Sequence, residues 1–110
     1  MTSNPDALRH VVLFGLKPDA SAEAKDELVR RFEQLSRDIP GVEAFEWGVN
    51  CSDEGLNGGL THAFVLTFAN ASARDAYLPH PLHAAFVDWS RQVVERATVF
   101  DFVPLRGAGR

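Results

Sequence analysis

Four segments of the chain alternate in the way that β-strands do. Residues 9–16 and 61–68 each place a histidine among bulky apolar side chains on one face, with smaller apolar side chains on the other. Residues 42–49 and 96–103 alternate more weakly, and the first of these strands sets Phe45, Trp47 and Val49 against Ala44, Glu46 and Gly48. The pattern predicts four strands, of which two are apolar on both faces.

A helix is predicted between the first two strands. Ser21 is a suitable N-cap, and Pro40 and Gly41 end the segment. Apolar residues recur between them at intervals of four, three and four, a helical spacing, at Leu28, Phe32, Leu35 and Ile39.

A second helix, broken in the middle, is predicted between the last two strands. Its first part starts at a cap on Asn70 or Ser72 and extends through Leu78, where Pro79 and Pro81 interrupt it. Helix resumes near Leu82, with an apolar stripe predicted at Phe86, Trp89, Val93 and Val94.

The resulting order is βαββαβ, which predicts an α+β, ferredoxin-like fold with a four-stranded antiparallel sheet and its helices on one face. The helices cover only that face. An apolar set is expected on the other face, larger than a monomer usually exposes, at Val11, Leu13, Val65, Val99 and Val103. The sequence therefore predicts a homodimer whose sheets pack face to face or close into a shared barrel.

Composition and charge narrow the class of protein to which the chain can belong. The chain has 110 residues, 45% hydrophobic and 24% charged, with a formal net charge of −4, which suits one mildly acidic globular domain. No basic stripe is available for phosphates, so nucleic acid is not an expected partner. A single cysteine, Cys51, and the absence of a signal peptide or a long apolar run predict a cytoplasmic protein without membrane association.

The densest candidate chemistry is the segment 77–83, which holds Tyr77, His80 and His83 around two prolines. A bend at the prolines would turn Tyr77 and His83 toward one cavity, where the histidine could act as a base and the phenol as a donor. His10 and His62 are expected on the core-facing side of the sheet, and an apolar wall would exclude water, at Phe14, Phe64 and Phe86.

Structural roles are the competing interpretation of the same residues. His83 would also suit a cap or a hydrogen bond across the broken helix, and a satisfied structural place in the core is the favoured role for His10 and His62. Tyr77 would also suit a core aromatic with a wet hydroxyl, and His80 is expected to be half exposed.

Other site classes have little support. No pair of histidines has zinc-binding helical spacing, and Asp53 and Glu54 form only an unspecific acidic loop, so no metal is predicted. Cys51 has no basic neighbour in sequence, and residues 55–59 lack the lysine of a phosphate-binding loop.

Five motifs in this order resemble the stress-responsive dimeric α/β-barrel (Dabb) domain over residues 8–104, leaving 1–7 and 105–110 as expected flexible termini. They are Arg9-His-Val-Val-Leu-Phe, Ile39-Pro-Gly-Val with Trp47-Gly, Thr61-His-Ala-Phe, Tyr77-Leu-Pro-His-Pro-Leu-His83 and Val99-Phe-Asp-Phe102. The resemblance implies a homodimeric barrel and, through a plant polyketide cyclase of the family, catalysis without a cofactor.

By that resemblance His83 matches the catalytic histidine and Tyr77 the assisting phenol. His10, His62 and His80 also occupy histidine positions of the cyclase, whereas Phe32 replaces a pocket tyrosine. The predicted function is a cyclase or lyase acting on a small ketone or polyketide-like substrate. The alternatives are a non-catalytic dimeric module for stress tolerance or for a small apolar or aromatic ligand, and, with weaker support, a cofactor-free monooxygenase.

Overall fold

The computed structural model describes residues 4–105, and the outer parts of both expected flexible termini, 1–3 and 106–110, lie outside them. The ferredoxin-like order of strands and helices is as expected, except that the broken helix is two separate helices. The elements are β1 (Leu8–Leu16), α1 (Ala22–Asp38), β2 (Val42–Val49), β3 (His62–Phe68), α2 (Ala71–Tyr77), α3 (Pro81–Ser90) and β4 (Val94–Phe102).

The four strands form one antiparallel sheet in the order β2-β3-β1-β4. Even-numbered residues of β1 face the helices, and His10, Val12 and Phe14 are buried there. Directly paired residues share a face, so Phe64 and Leu66 of β3 join them opposite Val12 and His10. The core therefore lies between this face and the helices.

Helix α1 begins at the predicted cap, where the Ser21 hydroxyl accepts a hydrogen bond from the Ala24 amide at 3.1 Å. Leu28, Phe32 and Leu35 are buried against the sheet. Each such side chain contributes about 1.5–3 kcal/mol when it leaves water, so this stripe is the principal attachment of the helix.

The break between α2 and α3 is built by a capping histidine and a proline. His80 is the N-cap of α3, and its ring nitrogen Nδ1 accepts from the Leu82 amide at 3.1 Å. Pro81 occupies the first turn, where the missing amide has no helical partner to lose. This restart leaves Tyr77 at the end of α2 and puts His83 in the first turn of α3.

The expectation for the end of this region was wrong in its boundaries. Helix α3 ends at Ser90, so Val93 lies in the following turn and Val94 begins β4 rather than continuing an apolar helical stripe. Val93 is nevertheless buried in the core. Apolar side chains at this spacing fit either a helix or a turn that packs inward, and tertiary packing decides.

The faces of β4 are also the reverse of the expected ones. Val99 pairs with Val12 and therefore faces the helices, whereas Phe100 pairs with Val11 on the open face. Val103 lies beyond the strand. The open face consequently presents a different apolar set, which is Val11, Leu13, Val65, Phe100 and Phe102, and no described helix covers it. Phe100 remains 65% exposed.

No helix within residues 4–105 is long and apolar enough to cross a membrane.

Candidate functional site

A cavity of about 460 Å³ lies between the helix-facing side of β1 and β4 and the helices α2 and α3. Its volume falls in the range of small-ligand pockets. Most of its wall is apolar. Four polar residues, His10, Tyr77, His83 and Asp101, lie together at one end, and Ser90, Arg91 and Glu95 also line the cavity. The wall includes His10, Val12, Phe14, Phe32, Tyr77, Leu78, His83, Phe86, Val87, Val99 and Asp101.

Tyr77 and His83 come together at this cavity because of the proline break. Their ring centroids are 4.7 Å apart, with the planes inclined by 54°. Tyr77 is the last residue of α2, and His83 lies in the first turn of α3. Two residues six positions apart would not be neighbours on one continuous helix, so the break creates this pair.

The Tyr77 side chain is fully buried, and its hydroxyl has no hydrogen-bond partner among the described residues. Burial raises the pKa of this phenol far above its ordinary value. The group is therefore a protonated donor at neutral pH. An unpaired buried hydroxyl costs free energy in the folded protein, which makes Tyr77 a candidate contact for a ligand.

His83 has one ring nitrogen engaged and one available. Its Nδ1 lies 2.9 Å from the Leu78 carbonyl, which can only accept, so Nδ1 carries the proton and Nε2 keeps a lone pair. The pKa of His83 is lowered, first by burial and also by His10, with the Leu78 hydrogen bond opposing them. The ring is thus neutral at pH 7 and able to accept a proton.

His10 lies on β1 and is only 4% exposed. It is the third polar side chain at this end of the cavity, beside Tyr77 and His83. Its ring meets Tyr77 edge to face, with centroids 6.0 Å apart. Its Nδ1 lies 2.6 Å from a carboxylate oxygen of Asp101 on the neighbouring strand. The sequence did not single out Asp101, and the one available signal was a lone carboxylate in the otherwise apolar stretch 99–103.

Aromatic residues form the opposite end of the cavity. Phe14, Phe32 and Phe86 line it, with the Phe32 ring centroid 6.1 Å from that of Phe14 and 4.8 Å from that of Phe86. Phe64 was expected in the wall but lies behind it, wholly buried and stacked on Phe32 at 4.6 Å. The cavity lies over β1 and β4, and β3 is separated from β4 by β1, so the bulky residues of β3 fill the core rather than the cavity.

Two of the expected pocket histidines lie elsewhere. His62 stacks in parallel on Trp47 of β2, with ring centroids 6.3 Å apart, on a strand that β1 separates from β4. Burial and, to a lesser extent, Lys25 lower its pKa. His80 is the half-buried cap of α3. Residues 4–105 contain no cluster of three His, Cys, Asp or Glu side chains that could hold a metal.

The chain is similar to known proteins over nearly its whole length. The model of the stress-responsive A/B barrel domain matches residues 8–104. Olivetolic acid cyclase from Cannabis sativa is 26% identical over 98 residues, covering 89% of this chain and 97% of that protein. The crystal structure of At3g17210 from Arabidopsis thaliana has a TM-score of 0.87 at 32% identity, covering 92% of this chain and 98% of that one.

A dimeric ferredoxin-like protein of unknown function from Jannaschia sp. CCS1 is also similar. Its structure gives a TM-score of 0.71 at 25% identity and covers 87% of this chain and 97% of that one. These likenesses extend over nearly the whole described fold and include a protein described as a dimer.

Proposed function

The chain belongs to the stress-responsive A/B barrel domain family, and from this premise we propose that it is a cofactor-independent cyclase or lyase. Its substrate is a small ketone or a polyketide-like chain. The observation that carries the proposal is the unpaired, buried Tyr77 hydroxyl beside the neutral imidazole of His83 at one cavity. A base and a donor at one end of an apolar cavity suit carbon–carbon bond chemistry at a carbonyl.

His83 is the base of the proposed reaction. Its Nε2 removes a proton from a methylene flanked by two carbonyl groups, because such a methylene is acidic enough for a neutral imidazole to deprotonate. The Leu78 carbonyl holds Nδ1–H at 2.9 Å and so stabilises the imidazolium that forms. The lowered pKa leaves the ring unprotonated at neutral pH, ready for this step.

Tyr77 is the acid. The carbanion attacks a distant ketone carbon of the same chain, a new C–C bond forms, and the C=O π bond breaks. The oxygen takes its proton from the Tyr77 hydroxyl, and the phenolate recovers a proton from the His83 imidazolium. Protons and electrons balance without an added oxidant or reductant, and loss of water then yields the cyclic enone.

The aromatic end of the cavity indicates which part of the substrate would bind there. Phe32 stands where the resemblance to the plant cyclase places a tyrosine, and its ring packs against Phe64 and Phe86. An apolar alkyl or aryl tail therefore suits this end, and the reacting carbonyls suit the end with His83. The named activity of olivetolic acid cyclase, 26% identical to this chain, supports a polyketide-like substrate.

A second candidate is a non-catalytic module that binds a small apolar or aromatic ligand and contributes to stress tolerance. The observation in its favour is the loss of the pocket hydroxyl at Phe32, which leaves a phenyl ring in the cavity wall where a hydroxyl could have oriented a polar substrate. Both candidates use the same cavity, so turnover distinguishes them.

The proposed active form is a cytoplasmic homodimer in which residues 8–104 form the domain and a second copy covers the open sheet face. Phe100 and Phe102 expose large apolar surfaces there. Arg9 lies on the same face, and one of its guanidinium nitrogens is buried without a partner among the described residues. The exposed aromatic surface of Phe100 and Phe102 is the feature that a second copy would cover.

The test uses a linear tetraketide thioester, which carries three ketones beyond the thioester carbonyl. Mass spectrometry follows the loss of one water as the ring closes and dehydrates. We expect turnover by the wild-type protein and at least a hundredfold loss in His83→Ala. His62→Ala removes a histidine outside the cavity and should retain full activity. Ligand binding without turnover in the wild-type protein would favour the second candidate.

A further inference from the structure

Asp101 is a carboxylate on the cavity wall that the proposed reaction leaves without a role. It lies on β4 directly opposite His10 of β1, and both residues face the helices. One carboxylate oxygen, Oδ1, is 2.6 Å from His10 Nδ1. The register of β1 against β4 places the two residues side by side, so the pairing of the strands itself brings the carboxylate to the histidine.

Arg74 holds the other oxygen of the same carboxylate. Its Nη1 donates to Asp101 Oδ2 at 3.0 Å, from helix α2 across to β4. The guanidinium also contacts the Asp75 carboxylate through Nε at 3.1 Å and Nη2 at 3.0 Å. Asp75 is mostly exposed, whereas Arg74 and Asp101 are each only 23% exposed.

This arrangement fixes which nitrogen of His10 carries a proton. Asp101 Oδ2 accepts from Arg74, which leaves Oδ1 as an acceptor for the histidine. Nδ1 must therefore be the donor, and in the neutral ring Nε2 is left as an acceptor. Nε2 has no hydrogen bond to any described residue, and His10 lines the cavity.

We propose that Arg74 is a positioning residue, which through Asp101 holds His10 in the Nδ1–H tautomer and so makes Nε2 a second hydrogen-bond acceptor of the cavity. Arg74 does not reach the cavity wall itself. It fixes the carboxylate, and the carboxylate fixes the ring. Without the arginine, Asp101 could rotate away and His10 would be free to exchange tautomers.

The consequence for the ligand rests on the proposed function. The polar end then offers one donor, the Tyr77 hydroxyl, and two acceptors, His83 Nε2 and His10 Nε2. A chain that presents a carbonyl oxygen, an acidic methylene and an enol or hydroxyl proton satisfies all three. The structure thus favours a poly-β-ketone chain, in which one carbonyl is enolised and a neighbouring methylene is still flanked by two carbonyl groups, over a simple ketone.

The experiment is long-range ¹H–¹⁵N NMR of the histidine rings in the full chain, without ligand, at about pH 8.5, two units above the ordinary histidine pKa. His10→Gln assigns the His10 signals. We expect the wild-type ring to carry its proton on Nδ1, with that proton shifted downfield and slow to exchange. In Arg74→Leu the protected signal should be lost.

Two matched variants act as controls. Asp75→Asn removes the exposed contact of Arg74 and should keep the protected Nδ1–H, and Arg74→Lys should restore part of the signal lost in Arg74→Leu. A wild-type ring protonated on Nε2, or on both nitrogens, overturns the proposal. So does an unchanged His10 signal in folded Arg74→Leu. Because no substrate is used, the tautomer can be established even if the thioester is never turned over.

Discussion

Replacing Tyr77 by phenylalanine should stabilise the protein while impairing its function. The change removes one oxygen and leaves the ring, which contacts His10, Phe68 and His83 edge-on or at a tilt. In the wild-type protein that oxygen is buried and unpaired among the described residues. Its removal therefore relieves a desolvation penalty and breaks no observed hydrogen bond.

The magnitude follows from the cost of burying an unpaired hydroxyl, about 1–3 kcal/mol in proteins. We expect the free energy of unfolding of Tyr77→Phe to rise by about 1–2 kcal/mol. For a chain of this size that is a rise in Tm of at least about 4 °C. Urea denaturation at one fixed protein concentration measures it, since a dimer's stability depends on concentration.

Tyr77→Leu separates the ring from the hydroxyl. It removes the aromatic packing as well and should lose about 2–5 kcal/mol through the space it leaves. The reasoning is refuted if Tyr77→Phe loses 1 kcal/mol or more, because the hydroxyl would then have a partner in the folded protein. Turnover or ligand binding should fall in both variants.

Three further outcomes are expected. Light scattering should give twice the chain mass of 12.1 kDa, and Phe100→Asp, which puts a charge on the open face, should give a monomer; a wild-type monomer at micromolar concentration would contradict the proposed dimer. Burial depresses the pKa of His83 below its value in the unfolded chain. The contribution of His83 to stability is therefore complete above about pH 6.5 and is lost as the pH falls through the folded pKa. His83→Gln should flatten that loss, and an unchanged pH dependence of the free energy of unfolding in this variant would count against the assignment. Gly15→Ala should cost about 1–3 kcal/mol because the new Cβ would lie 2.7 Å from the Gly59 carbonyl oxygen, whereas Gly48→Ala, with open space around it, should cost far less; equal urea midpoints for the two would refute this.

The fold was predictable because its signals are local. Alternation defined strands at 9–16 and 61–68, and a cap at Ser21 with a stop at Pro40 and Gly41 defined the long helix. The prolines at 79 and 81 indicated a break, although not that the second part would be capped by a histidine ring. These features depend on neighbours within a few residues.

The parts that failed depend on pairing between distant segments. Residues 99, 100, 102 and 103 are all apolar, so the alternation of β4 fits either orientation, and only its register against β1 decides that Val99 faces inward. The Asp101 contacts join residues 91 and 27 positions apart in the chain. No spacing rule connects them, and a lone carboxylate in an apolar strand was the only available signal.

The central claim is that Tyr77 and His83 jointly contact a small ligand in the cavity. A titration of the ¹⁵N-labelled protein with a dihydroxyacetophenone, a stable phenolic ketone, tests it directly. We predict shifts of the His83 ring and of Val87 in the cavity wall, and at least tenfold weaker binding by Tyr77→Phe, about 1.4 kcal/mol. Shifts confined to the open sheet face, or equal affinity of the two proteins, would contradict the account.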